Sequence, residues 1–77
     1  MGAHIDLRLF ASLKTYLPQG AEHLPIEPGE TVEALMTRLG VPLDEVKLVF
    51  INGIKGGMSS NLRGGERVGV FPPIGGG

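Results

Sequence analysis

Cysteine is absent from this chain of 77 residues, which excludes disulfides, thiolate nucleophiles, cysteine-ligated zinc and iron–sulfur clusters. The sequence has 2 histidines, His4 and His23, and two isolated imidazoles do not complete a metal site. We therefore expect no metal and no permanently bound cofactor. Any sulfur chemistry that involves this chain must use a partner's sulfur.

Neither sign of charge is in excess, because 7 Lys and Arg are balanced by 8 Asp and Glu, for a formal net charge of −1. Binding to nucleic acid or to an anionic membrane through the overall field requires a strongly positive protein. No apolar run approaches the ~20 residues that span a bilayer, and the first residues lack the layout of a signal peptide. We expect a cytoplasmic protein that contacts neither nucleic acid nor membrane.

The chain is also short, since 77 residues form one small domain with little depth for an active-site cleft of its own. We therefore expect a protein that is not catalytic alone and is a monomer when free.

The first half of the chain predicts two strands. Ile5, Leu7 and Leu9 alternate with polar residues within residues 3–11, and Leu24 and Ile26 mark a short second strand. Residues 13–20 contain Pro and Gly and are expected to turn the chain back.

A helix is predicted between Thr31, a suitable N-cap, and Gly40, which is followed by Pro42. Its buried face consists of apolar residues at the spacing i, i+3, i+4 and i+7, namely Val32, Leu35, Met36 and Leu39.

The second half of the chain predicts three more strands. Residues 47–52 form the third strand, Asn52-Gly53 is a strong signal for a two-residue hairpin turn, and Ile54-Lys55 begins the fourth. Residues 59–65 are expected to be loop, and residues 67–71 form the last strand. This order predicts an α+β fold of the β-grasp, ubiquitin-like type, with a mixed sheet packed on one main helix. We expect one domain over residues 1–77, in which residues 72–77 form a flexible tail.

The tail is glycine-rich, because Phe71-Pro72-Pro73 is followed by Ile74 and then by Gly75-Gly76-Gly77. Glycine loses more backbone entropy on ordering than any other residue, so these glycines are expected to project as a thin arm. The arm would end in an ionised carboxylate. A carboxylate becomes an acyl donor only after activation, for example by adenylation.

The layout resembles the MoaD/ThiS family of ubiquitin-like sulfur carriers. The resemblance covers nearly the whole chain and lies in four segments, residues 28–35, 51–53, 62–68 and 71–77. The ending Phe-Pro-Pro-x-x-Gly-Gly is typical of the MoaD branch. Gly75 makes the glycine run three residues long, as is often seen in the ThiS branch, and Gly64 stands where the family loop often has Asp.

The resemblance implies that Gly76 and Gly77 are the diglycine and that Gly77 supplies the reacting carboxylate. An E1-like adenylating enzyme would use ATP to form the acyl-adenylate, and a sulfur donor would convert it to a thiocarboxylate. A MoaE-like large synthase subunit would then receive the tail and build molybdopterin, with this chain as co-substrate and small subunit. The alternatives are a ThiS-like carrier that serves thiazole synthase in thiamin synthesis, a ubiquitin-like modifier joined to lysine, and an interaction module with an idle tail.

Strand parity predicts a docking surface beside the tail. If Ile5, Leu7 and Leu9 face the helix, Phe10 faces outward, and the same alternation turns Phe71 outward. Phe50 is our choice for a third outward residue, and Ile74 for a fourth anchor, while Gly75 and Gly76 thread a partner's channel. The family's partner-binding patch includes positions that match Phe10 and Phe71. Lys14, Arg8 and Lys55 are expected at the rim as charges that select the partner.

Overall fold

The computed structural model describes residues 2–73 of the chain. Within these residues the elements are, in chain order, β1 (Ala3–Leu9), β2 (Leu24–Ile26), β3 (Glu30–Thr31), α1 (Val32–Leu39), β4 (Leu48–Ile51), β5 (Ile54–Gly56), β6 (Asn61–Leu62) and β7 (Arg67–Phe71). Short 3-10 helices lie at Ala11–Tyr16, Ala21–His23 and Leu43–Glu45. No helix in this part of the chain is long and apolar enough to cross a membrane. The predicted tail residues 74–77 lie outside the described residues.

Five of the strands form the main sheet in the order β2-β1-β7-β4-β5. The central pair, β1 and β7, is parallel, whereas the other neighbours are antiparallel, so the sheet is mixed. Strands β3 and β6 pair separately as a small two-stranded sheet. The mixed sheet with one main helix confirms the predicted β-grasp, ubiquitin-like fold.

The core lies between one face of the main sheet and the apolar side of α1. The sheet contributes Ile5, Leu7, Leu9, Val49, Val68 and Val70, and the helix contributes Val32, Leu35 and Met36, all of them buried. This confirms the prediction that Ile5, Leu7 and Leu9 of β1 and Val68 and Val70 of β7 face the helix. It also resolves β4, in which the sequence pattern was ambiguous, because Val49 is buried and its neighbours Leu48 and Phe50 are only half-buried.

The helix begins and ends at the predicted residues. The Thr31 hydroxyl accepts a hydrogen bond from the backbone N–H of Ala34 at 3.1 Å, which satisfies one of the free donors of the first turn. Gly40 ends the helix in the left-handed conformation, with φ of 81°, where glycine carries no Cβ penalty.

Two regions differ from the sequence prediction. The first strand ends at Leu9 rather than near residue 11, because Ala11 has φ of 54° and starts the 3-10 helix Ala11–Tyr16, which extends into the segment 13–20 that was expected to turn the chain. Residues 59–65 are not all loop, because Asn61 and Leu62 pair with Thr31 and Glu30. The hairpin turn is confirmed by the positive φ of 54° at Asn52 and 80° at Gly53, which a type I′ turn requires.

Candidate functional site

The three phenylalanines lie together on the face of the sheet that points away from α1. The rings of Phe10 and Phe71 stack in parallel, with centroids 4.2 Å apart and planes 2° apart. The ring of Phe50 stands nearly perpendicular to that of Phe71, at 5.8 Å and 87°. Phe10 is 36% exposed, and the other two are half-buried. We call these three residues the aromatic cluster; strand parity predicted Phe10 and Phe71 as outward residues, and Phe50 was our choice for the third.

Gly69 forms the floor beneath the aromatic cluster. In the register of the sheet it lies between Arg8 on β1 and Phe50 on β4. A Cβ atom at Gly69 would come 3.3 Å from Cε2 of Phe10 and 3.7 Å from Cε1 of Phe71. The absence of a side chain at Gly69 therefore lets the Phe10 ring lie close over β7. The sequence carried a signal for this position, since glycine inside a strand often marks a close approach, but our prediction did not use it.

The aromatic cluster borders a shallow depression of about 300 Å³ on the sheet face, which we call the aromatic depression. It is lined by Arg8, Phe10, Phe50, Gly53, Arg67, Gly69 and Phe71. Arg8 was predicted as a rim charge. Arg67 was missed: the alternation that turns Phe71 outward also turns Arg67 outward, but only the sheet order shows that it lies beside Phe50 and Gly69.

The two arginines differ in their contacts with carboxylates. Arg8 donates from Nε and Nη2 to the two carboxylate oxygens of Asp6, each at 3.2 Å. The hydrogen bond from Arg8 lowers the pKa of Asp6, and the same contact raises the pKa of Arg8. Arg67 lies opposite Asp6 in the β1–β7 register, and its charge contributes to the lowered pKa of Asp6.

The other predicted rim charges lie to either side of the aromatic depression. Lys55 is opposite Phe50 in the β4–β5 register and is exposed. Lys14 lies beyond Phe10, where it lines a separate groove together with Arg8 and Leu17. The structure therefore places Lys55 and Lys14 next to the aromatic cluster, although neither lines the aromatic depression.

The chain leaves the sheet next to the aromatic cluster. The carbonyl of Phe71 accepts a hydrogen bond of 2.8 Å from the backbone N–H of Lys47, and Pro72 is buried. Pro73 is exposed. The predicted site residues that follow, Ile74, Gly75, Gly76 and Gly77, lie outside the described residues.

The loop before β7 explains why glycine occupies position 64. The carboxylate of Glu66 accepts hydrogen bonds from the backbone N–H groups of Arg63 at 2.9 Å and Gly64 at 2.7 Å. Partial burial raises the pKa of Glu66, but these donors outweigh it and the pKa is lowered. Gly64 has φ of 128°, and a Cβ there would lie 3.0 Å from Cβ of Ala3. An Asp at this position would be strained and crowded.

Among residues 2–73, no group of three or more His, Asp or Glu side chains is placed so that it could hold a metal ion. The rings of His4 and His23 meet edge to face, with centroids 6.4 Å apart.

Comparison with known proteins places this geometry in a family. The sequence matches the profile of the Mut7-C ubiquitin family over residues 2–75. The solution structure of the Haloferax volcanii HVO 2177 protein is similar with a TM-score of 0.74 and 25% identity, covering 99% of this chain and 88% of that one. The crystal structure of H. volcanii small archaeal modifier protein 1 shares the fold with a TM-score of 0.67 and 22% identity, covering 95% of this chain and 100% of that one. No curated protein matches the sequence. The chain belongs to the Mut7-C ubiquitin family, which confirms the ubiquitin-like relationship predicted from its sequence.

Proposed function

We propose that this chain is a sulfur carrier whose reacting group is the carboxylate of Gly77, with molybdopterin biosynthesis as the pathway that receives the sulfur. The carboxylate attacks the α-phosphorus of ATP in the active site of an E1-like adenylating enzyme, and pyrophosphate leaves. A sulfide-level donor then attacks the acyl carbon, AMP leaves, and a thiocarboxylate remains. A MoaE-like synthase subunit takes this thiocarboxylate as co-substrate.

The observation that carries the proposal is the position of the aromatic cluster beside the start of residues 72–77. Ordering three glycines in a channel costs ~1–2 kcal/mol each, or ~3–6 kcal/mol in all, and glycine has no side chain to offset this cost. The anchor must therefore lie on the folded domain. The partly exposed aromatic cluster that adjoins Pro72 is suited to this role.

The exposure of the cluster sets how much anchoring it provides. Complete burial of a Phe contributes ~1.5–3 kcal/mol. Because 36% of Phe10 is still exposed, its docking adds only about a third of that, ~0.5–1 kcal/mol. Phe50 and Phe71 are half-buried and expose less surface than Phe10, so the three rings offset only part of the tail's ordering cost. Polar contacts around the rings must provide the remainder.

The number of residues after Pro73 limits the distance between the docking surface and the reacting carboxylate. Pro72 is buried against the domain, and the four residues 74–77 follow Pro73 in the sequence. Four residues reach at most ~13–14 Å when fully extended. A partner that docks on the aromatic cluster must therefore hold its reaction centre within this distance of Pro73.

Intact-mass spectrometry tests the proposal. The chain is incubated with its adenylating enzyme, ATP and a sulfide donor, and we expect a mass gain equal to the exchange of one oxygen for sulfur. Deletion of Gly77 serves as the matched control and should abolish the gain without changing the melting temperature. An unchanged mass in the complete reaction would contradict the proposal.

A second candidate function is protein modification. One structural neighbour is named a small archaeal modifier protein. In that chemistry a lysine amine, instead of sulfide, attacks the acyl-adenylate, AMP leaves and an isopeptide bond forms. Lysine-linked adducts of the chain in its native cell would favour this function.

Another alternative is that the sulfur serves thiamin thiazole synthesis in place of molybdopterin synthesis. Transfer of the thiocarboxylate sulfur to thiazole synthase would favour this alternative.

A further inference from the structure

The aromatic depression has apolar walls and a floor without a side chain. Phe50 flanks Gly69 across the β4–β7 pair, Phe71 follows two residues along β7, and the Phe10 ring lies over Gly69. The volume of about 300 Å³ admits an apolar side chain from a partner. Apolar contact at this point would also remove water from the groups at the rim, which strengthens their electrostatic interactions.

The rim of the aromatic depression is predominantly cationic. Arg8 and Arg67 line it, and Lys55 is opposite Phe50. Two carboxylates lie near Arg8, namely Asp6, which already binds it, and Glu22, which lines the neighbouring groove together with Arg8. Arg8 uses Nε and Nη2 for this contact, and a guanidinium has five N–H donors, so Arg8 retains donors for a second carboxylate. The charged residues that line the aromatic depression, Arg8 and Arg67, are therefore both cations.

The opposite side of the domain is acidic. Five carboxylates lie on α1 or in the segments that flank it, namely Glu27, Glu30, Glu33, Asp44 and Glu45. Arg38 binds Glu30 at 3.0 Å and balances one of them. The carboxylates on and around α1 therefore outnumber the cations there, whereas the two charged residues that line the aromatic depression are arginines.

We infer that the partner of this face is an acidic protein segment that inserts an apolar side chain into the aromatic depression. Carboxylates flanking that side chain accept hydrogen bonds from the guanidinium groups of Arg8 and Arg67. The inference rests on the proposed function, in which this face docks the chain to its enzyme. It adds the chemistry of the partner and assigns Arg67 and Gly69 to the docking site.

A protein segment fits this face better than single-stranded nucleic acid. Single-strand binders combine a positive groove that follows the backbone with rings on which successive bases stack. Here Phe10 and Phe71 stack on each other at 4.2 Å, which leaves no space for a base between them. The carboxylate of Asp6 would also lie beside any phosphate that approached Arg8.

An NMR titration of the full chain tests the inference with defined probes. The probes are a capped Asp-Asp-Leu-Asp-Asp peptide, the matched Lys-Lys-Leu-Lys-Lys peptide and an oligouridylate. We expect the acidic peptide to shift the amide signals of Arg8, Arg67 and Gly69, and the basic peptide to leave them unchanged. Raising the ionic strength from ~0.01 to ~0.15 M shortens the screening length from ~30 to ~8 Å, and we expect the affinity to fall about tenfold.

Two charge reversals provide a matched comparison. Arg67→Glu should weaken binding of the acidic peptide about tenfold, because a cation at the mouth becomes a repulsive carboxylate. Arg63→Glu makes the same change in net charge, but Arg63 does not line the aromatic depression, so we expect less than about a twofold effect. The dispersion of each variant's amide spectrum verifies that it is folded.

Three outcomes would overturn the inference: shifts confined to other surfaces, an equal response to the basic peptide, or tighter binding of the oligouridylate. Different results contradict the inference and the proposed function. A chain that forms a thiocarboxylate but does not bind the acidic peptide contradicts only the inference. A chain that binds the peptide through Arg67 but is never adenylated contradicts only the proposed function.

Discussion

Replacing Gly69 with alanine separates the shape of the aromatic depression from the stability of the fold. The added Cβ would lie 3.3 Å from Cε2 of Phe10, whereas carbon atoms pack best at ~3.5–4.0 Å. The Phe10 ring must therefore move outward by a few tenths of an ångström. Because this ring is 36% exposed, the solvent side is open to it. We expect the movement to narrow the aromatic depression without disturbing the core.

The two contributions to stability have opposite signs. Gly69 is not among the residues with positive φ, so alanine adopts its backbone without strain. Replacing glycine at such a position stabilises a protein by ~0.4–1 kcal/mol through the unfolded state. The crowding of Phe10 offsets part of this gain. We expect the free energy of unfolding to change by less than ~1 kcal/mol, which corresponds to less than ~8 °C in Tm for a domain of this size.

The assay pairs thermal unfolding with binding of the acidic peptide. We expect Gly69→Ala to weaken binding about fivefold, equivalent to ~1 kcal/mol, at nearly unchanged Tm. Gly57→Ala is the matched control, because a Cβ at Gly57 meets nothing within 4 Å and should leave binding unchanged. Unaltered binding by Gly69→Ala would refute the docking role of the aromatic depression. A fall in Tm of more than ~10 °C would refute our view that the Phe10 ring is free to move outward.

Substitutions at three further positions test the fold. Ala11 has a left-handed backbone with φ of 54°, which costs a residue with a side chain ~1–2 kcal/mol. Ala11→Gly removes this strain but increases the entropy of the unfolded chain, so we expect a net stabilisation of ~0.5–1 kcal/mol in urea unfolding. A loss of stability would contradict the strain at Ala11. Thr31→Ala should lower the free energy of unfolding by ~1 kcal/mol because the N-cap hydrogen bond is lost, whereas Thr31→Ser should keep most of this stability. The hydrogen bond from Arg38 lowers the pKa of Glu30 below its usual 4.5, so the pair stabilises the fold above that pH and the stabilisation is lost as pH falls through the folded-state pKa. The urea concentration at the unfolding midpoint should rise between about pH 3 and pH 6, and Glu30→Gln should reduce this rise. If the rise is unchanged in the variant, other carboxylates cause it.

The elements predicted correctly are those whose determinants lie close together in the sequence. Thr31 and Gly40 bracket α1, and the apolar residues between them repeat at the helical period. Alternation in β1 and β7 assigned the inward residues and therefore the outward Phe10 and Phe71. The Asn52-Gly53 turn requires two positive φ angles, which this dipeptide tolerates.

The features that escaped prediction depend on residues far apart in the chain. Strands β3 and β6 have two residues each and pair positions 30–31 with positions 61–62, so neither shows a period of its own. Arg67 joins the aromatic depression because β7 lies between β1 and β4, and only the sheet order reveals this. Phe50 was chosen from an ambiguous apolar run, and its pairing with Gly69 explains why it faces outward.

Backbone contacts hold the aromatic cluster in place before any partner arrives. The N–H of Phe10 donates to the carbonyl of Val70 at 3.1 Å, and the carbonyl of Phe10 accepts from the N–H of Leu13, also at 3.1 Å. These two bonds fix Phe10 on both sides and maintain the left-handed turn at Ala11. Phe71 is held on its carbonyl side, where it accepts a hydrogen bond from the N–H of Lys47 at 2.8 Å. Because the aromatic depression is already formed, docking there requires little ordering of the domain, and the entropic cost of binding is confined to the tail and the partner.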